Sequence, residues 1–140
     1  MFFGDLNYVV IIIAAIVGMG LGIVWHAPFV FGKLWLKYNG WTPEHLTAKK
    51  AKQSMIAVHS AMTLATLLQA FILAGIFHSL VIVGFGSMLL VGLCVWAGFV
   101  VPAKIADYLY GGDSWQYFLI EAGYQLVAIS LMSLIIGIFG

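Results

Sequence analysis

The sequence predicts an all-α integral membrane protein, a four-helix bundle with both termini outside and a short interfacial segment after the first span. Three observations carry that prediction. The 140 residues are 64% hydrophobic and 8% charged, with a mean hydropathy of +1.09. A soluble domain carries roughly 25% charged residues, so this chain cannot cover a water-facing surface. Four apolar stretches, about residues 7–27, 53–77, 80–102 and 115–139, each reach the length of about 20 residues that a helix needs to cross a bilayer. All six basic residues are lysines, five between the first two stretches and one between the last two. The positive-inside rule then places both of those connections in the cytoplasm and both termini outside. Residues 1–140 read as one transmembrane domain with no room for a separate soluble one.

The first span, from about Asn7 to His26, is preceded by Met1-Phe2-Phe3-Gly4-Asp5, which lacks the basic start of a signal peptide, and it is too long for one. It therefore reads as a retained span, ended by Pro28. Ala14, Gly18, Gly22 and His26 recur at intervals of four and lie near one face, a small-residue seam that lets another backbone approach. From Phe29 to Trp41, aromatic residues interleave with Lys33 and Lys37, the pattern of a segment lying among lipid headgroups. Thr42-Pro43-Glu44 supplies an N-cap, a proline at the first helical position and an acid in the first turn. A helix carrying Lys49, Lys50 and Lys52 is expected from there. The second span places His59, Thr63, Thr66 and Gln69 along a polar stripe, which should face protein or water. Phe77-His78-Ser79 reads as a tight turn into the third span, a hairpin of spans two and three. Gly84, Gly86, Gly92 and Gly98 mark that third span as glycine-rich, and Pro102 marks its end or a kink. Lys104 and Asp107 are spaced to pair on one helical face. Asp113 and Gln116 form a candidate capping box for the fourth span.

That fourth span holds the most informative residue. Glu121 is a full charge about two turns into it, with Gln125 one turn on. A carboxylate there costs roughly 2.5–3.5 kcal/mol on insertion scales, so it should face a partner, a cavity or water. Depth gathers His26, His59, Lys104, Asp107 and Glu121 into one layer near the cytoplasmic side. The outer halves of spans one, three and four are almost free of polar side chains.

Three readings fit the layer. It is the vestibule of a transport path for a small ion or small molecule, with Glu121 carrying a cation or proton, His59 as proton partner, and Gln125, His26, Lys104, Asp107, Thr63, Thr66 and Gln69 lining it. Alternatively, His26, His59 and Glu121 hold a metal, or the histidines hold haem. Lastly, it is a buried network that fixes helix register, with Glu121 neutralised by His59 or Lys104. The metal signal is weak, since the spacings HxxxH and ExxH are missing and Cys94 is the single cysteine. With a net charge of +1, nothing points to nucleic acid, and no nucleophile–base pair or phosphate loop is visible, so an enzyme has little support. The lipid bilayer is the expected partner. Ala14, Gly18, Gly22, Gly92 and Gly98 are the helix-packing candidates, within the chain or between copies of a homo-oligomer, since four short helices barely enclose a path alone.

Trp25-His26-Ala27-Pro28-Phe29-Val30-Phe31-Gly32-Lys33-Leu34-Trp35, Gly98-Phe99-Val100-Val101-Pro102 and Gly123-Tyr124 resemble the W-x-x-P-x-x-F-G-x-x-W, G-F-x-x-P and G-Y features of a bacterial family of small four-span membrane proteins, catalogued as a domain of unknown function. The resemblance spans nearly the whole chain. It implies four spans and a bacterial inner membrane, and it assigns neither an activity nor site residues.

Overall fold

A computed structural model describes residues 6–39, 55–112 and 114–139. The described elements are all helical: α1 (Tyr8–Trp25), a π turn at Pro28–Gly32 leading into the short α2 (Lys33–Asn39), α3 (Met55–Ser79), α4 (Phe85–Gly111) and α5 (Trp115–Phe139). α1, α4, α5 and the His59–Ser79 part of α3 are long and apolar enough to cross a membrane. The chain is thus the all-α four-helix, multi-pass membrane protein that its composition predicts. The helix expected from Thr42 and bearing Lys49, Lys50 and Lys52 lies outside the described residues.

α5 is the central helix, with α1, α2, α3 and α4 all packed on it. α3 leans chiefly on α1. α3 and α4 make no extended contact with each other, so the hairpin expected of spans two and three is a connection without a packed face. The core sits where α1, α3 and α5 meet. Ala14, Ala70 and Met132 are fully buried there, with Ile11, Leu73 and Ile129 around them. Lipid tails are as apolar as these side chains, so close backbone approach has to supply the attraction. The α1 seam does this inside the chain. A Cβ on Gly18 would lie 3.2 Å from Thr66 Cγ2 and 3.3 Å from Met132 Sδ, and one on Gly22 would lie 2.8 Å from the Tyr124 hydroxyl. Gly92 of α4 fits in the same way over Ser133 of α5. Gly98, expected to pack, has open space where its side chain would be and faces away from the bundle.

Three boundaries depart from the sequence reading. His78 and Ser79 belong to α3, and the turn is Leu80–Gly84, with Val81 at φ 50° and Gly84 at φ 92°. Pro102 does not end the third span, which continues to Gly111. A proline lacks its N–H and crowds the carbonyl four residues back. The helix widens just ahead of it into a π turn, Trp96–Val100, in which the Val101 N–H donates to the Trp96 carbonyl five residues back. Finally, α5 is capped by Ser114, whose hydroxyl accepts from the Tyr117 N–H at 3.1 Å and donates to the Tyr38 carbonyl at 3.0 Å. That hydroxyl ties α2 to the start of α5. Asp113, the expected cap, lies outside the described residues.

The Pro28–Gly32 turn has a steric logic of its own. The Gly32 N–H donates to the Ala27 carbonyl at 2.9 Å. A Cβ on Gly32 would collide with the backbone of His26 and Ala27. Only glycine permits the chain to leave α1 so tightly.

Candidate proton-sharing site

His26 is the C-cap of α1. Its Nδ1 lies 2.9 Å from the Gly22 carbonyl, which can only accept, so Nδ1 carries a hydrogen and donates. The ring is thereby fixed with Nε2 facing Glu121 Oε1 at 2.9 Å. At that distance the contact is a hydrogen bond when one proton lies between the two atoms. That proton can reside on the imidazole, giving an imidazolium–carboxylate pair, or on the carboxyl, giving a neutral pair. The hydrogen bond is made in both cases. This explains how a span tolerates Glu121, because a carboxylate deprived of water is affordable only when it is paired or neutral. The two side chains retain 31% (His26) and 15% (Glu121) of their exposure.

The turn of α5 that carries Glu121 is gripped from two sides. The Trp25 indole N–H of α1 donates to the Ile120 carbonyl at 3.1 Å, and the Trp96 indole N–H of α4 donates to the Ala122 carbonyl at 2.8 Å. One turn further along, the Tyr124 hydroxyl donates to the Gly18 carbonyl at 3.2 Å. The Tyr124 ring lies edge-on to His26, with centroids 5.4 Å apart, while Trp25 rests on Phe31 at 4.7 Å. These aromatic donors are absent from the polar layer as read from sequence. The available signal was that an indole or phenol in a span still needs a partner for its N–H or O–H.

The remaining candidates divide. Gln69 and Gln125 meet, amide nitrogen to amide oxygen, at 3.4 Å. Thr66 is buried and donates back to the Met62 carbonyl of its own helix at 2.8 Å, with Met19 Sδ at 3.2 Å. Thr63 does likewise to the His59 carbonyl at 2.8 Å, on the exposed side of α3. His59 is exposed and lies away from Glu121, so the expected partner is replaced by His26. Lys104 is half-buried and close enough for its charge to be felt at His26, but it does not bond Glu121. Asp107 is exposed, and no ion pair joins it to Lys104. Among the described residues, no three histidine, cysteine or carboxylate side chains converge, so the metal set of His26, His59 and Glu121 is not assembled.

Residues 9–137 match the model of the family described as Protein of unknown function (DUF1761). No curated protein and no solved structure matches the chain. The chain belongs to that family, as its resemblance to a domain of unknown function implied.

Proposed function

We propose that this member of a family without an assigned activity is a proton-handling transport component, working as an assembly of identical copies, in which His26 and Glu121 hold one exchangeable proton. The observation that carries the reading is the fixed imidazole. With Nδ1 committed to Gly22, Nε2 and Glu121 Oε1 form a two-atom proton site inside a span, 2.9 Å across. Both groups keep partial access at the lysine-bearing end of the bundle. Polar groups continue one turn deeper through Gln125 and Gln69 and then give way to the apolar core around Met132. One copy thus supplies a proton site and part of a path. The rest comes from partner copies, for which the outward face of α4, with Gly98 and Phe99 exposed, is the available surface.

The second reading is a register lock, favoured by the indole bonds on both sides of Glu121. Proton flux in reconstituted vesicles, followed with an entrapped pH dye, separates the two. Glutamine keeps a hydrogen-bonding partner for His26 and removes the exchangeable proton. Under the transport reading, Glu121→Gln and Glu121→Leu both assemble normally and both lose pH-dependent flux. Wild-type flux in Glu121→Gln between pH 5 and 8 removes Glu121 as proton carrier.

The lysine bias orients the lysine-bearing end toward the cytoplasm of a bacterial inner membrane. A cysteine in place of the exposed Lys37, in a Cys94→Ser background, is expected to resist impermeant thiol reagents in intact cells and to react after lysis. Labelling in intact cells reverses the orientation.

A further inference from the structure

We infer that Trp25 and Trp96 are positioning residues for the His26–Glu121 pair, two indole clamps that hold the α5 turn so that one proton is shared tightly between Nε2 and Oε1. The inference rests on the proton-handling reading above and names what regulates that site.

The clamps fall on the two residues flanking Glu121. Ile120 and Ala122 already accept backbone hydrogen bonds in a regular α-helix, so α5 does not need the indoles for its own ladder. The bonds therefore fix where this turn stands relative to its neighbours. They come from different helices. α1 and α4 make no extended contact with each other, yet both reach this one turn, from either side. On the α1 side, Trp25 is adjacent in sequence to His26, so a single short segment carries both a clamp and one half of the proton site. On the α4 side, Trp96 opens the π turn that lets the helix run on past Pro102. An irregular turn at this place links the position of α4, the least buried span, to the position of Glu121.

Among the described residues, two charged or titratable side chains approach the pair. Lys104 approaches from α4 and Tyr124 from α5, while Lys33 and Lys37 of α2 are exposed. The clamps alter none of these charges. Their effect is on the coupling between the two members of the pair. A tightly held pair titrates in two well-separated macroscopic steps: it takes a second proton only at low pH and releases the shared one only at high pH. Loosening the Nε2–Oε1 contact raises the lower step and depresses the upper one, so the one-proton window narrows from both ends.

The test is ring nitrogen NMR of full-length protein labelled at histidine and embedded in phosphatidylcholine nanodiscs, with the His26 signal identified by its loss in His26→Gln. Trp96→Phe and Trp25→Phe each keep an aromatic ring and remove the N–H donor. Each is expected to narrow the His26 one-proton window by at least about half a pH unit, roughly threefold in proton affinity, with unchanged gel-filtration behaviour. Trp115→Phe, at an exposed position away from the pair, is expected to leave the window as it is. Should Trp96→Phe fail to assemble, Trp25→Phe tests the opposite clamp in the same way. Two-step curves that superimpose on wild type in both clamp variants overturn the inference and leave the proton site standing. A single ordinary histidine titration in the wild type overturns the proton-sharing reading and the inference with it.

Discussion

The two ends of the bundle are held together by different chemistry. At the lysine-bearing end, the spans are joined by directed hydrogen bonds: Trp25 to Ile120, His26 to Glu121, Trp96 to Ala122, and Gln69 to Gln125. Toward the other end, the contacts are apolar, close-packed where Ala14, Ala70 and Met132 are fully buried and Gly92 sits over Ser133, and opening beyond them into a cavity lined by Val10, Phe77, Met88 and Ile136. Burial from water cannot press one helix against another inside a bilayer, which leaves packing and interhelical hydrogen bonds. Packing requires small residues and tolerates no added volume. Hydrogen bonds require matched donors and acceptors, and they can bind or release a proton. Among the described residues, the directed interhelical hydrogen bonds are thus gathered at one end, and close packing joins the spans beyond it.

The largest effect should come from adding volume at the packed end. In Gly92→Leu, the first side-chain carbon already runs into the Ser133 hydroxyl, and Ile129 lies behind it. Overpacking in a filled core costs typically about 1–3 kcal/mol. α4 has its main contact on α5 alone, so it has little else to hold it. Loss of the folded species in a detergent thermal-stability assay is the expected outcome. Normal stability would mean that α4 is held chiefly by the Trp96 clamp, and the contrast between the two ends would collapse. Glu121→Gln is expected to be far milder in the same assay, because interhelical polar contacts average only about 0.6 kcal/mol. Under the proposed function, its large effect is on flux instead.

Much of this was legible in the sequence, and the misses have physical causes. Span number and the exit from the first span at Pro28 follow from apolar length and from the steric demands of proline. The α1 seam was legible because its spacing of four repeats over three turns. Depth along a helix follows from counting residues, so His26 and Glu121 could be placed in one layer. Rotation about the helix axis does not follow, since it depends on packing partners elsewhere in the chain. His59 is exposed on α3, and it is His26 that meets Glu121. The same limit separates Gly92 from Gly98: both read as packing glycines, one meets Ser133 and the other meets open space. The clamps were missed because an indole donating to a backbone carbonyl leaves no complementary side chain to find. Pro102 reads as an end or a kink, and sequence does not choose between them because the π turn that accommodates it has no compositional signature.

The smallest effect should come from Ser133, and its sign is the informative part. Ser133 lies at the packed end, fully buried, and its hydroxyl has no hydrogen-bond partner among the described residues. Serine in a helix often donates back to a carbonyl one turn earlier, as Ser130 does to Leu126 at 2.7 Å. At residue 133 the oxygen instead occupies the space left by Gly92. Leaving a buried hydroxyl unpaired costs about 1–3 kcal/mol in soluble proteins, and the smaller span-to-span values point to the low end here. Ser133→Ala removes one oxygen, leaves the close approach of α4 and α5 intact, and takes the unpaired group away. Thermal stability is expected to stay level or to rise by up to about 1 kcal/mol. The matched change Thr66→Ala, which removes a buried hydroxyl bonded to Met62, should not gain. A clear loss in Ser133→Ala would show that this hydroxyl has a partner in the assembled protein. The packed end would then contain a buried hydrogen bond within the chain, and polar contacts would reach deeper along the bundle than the Gln69–Gln125 pair.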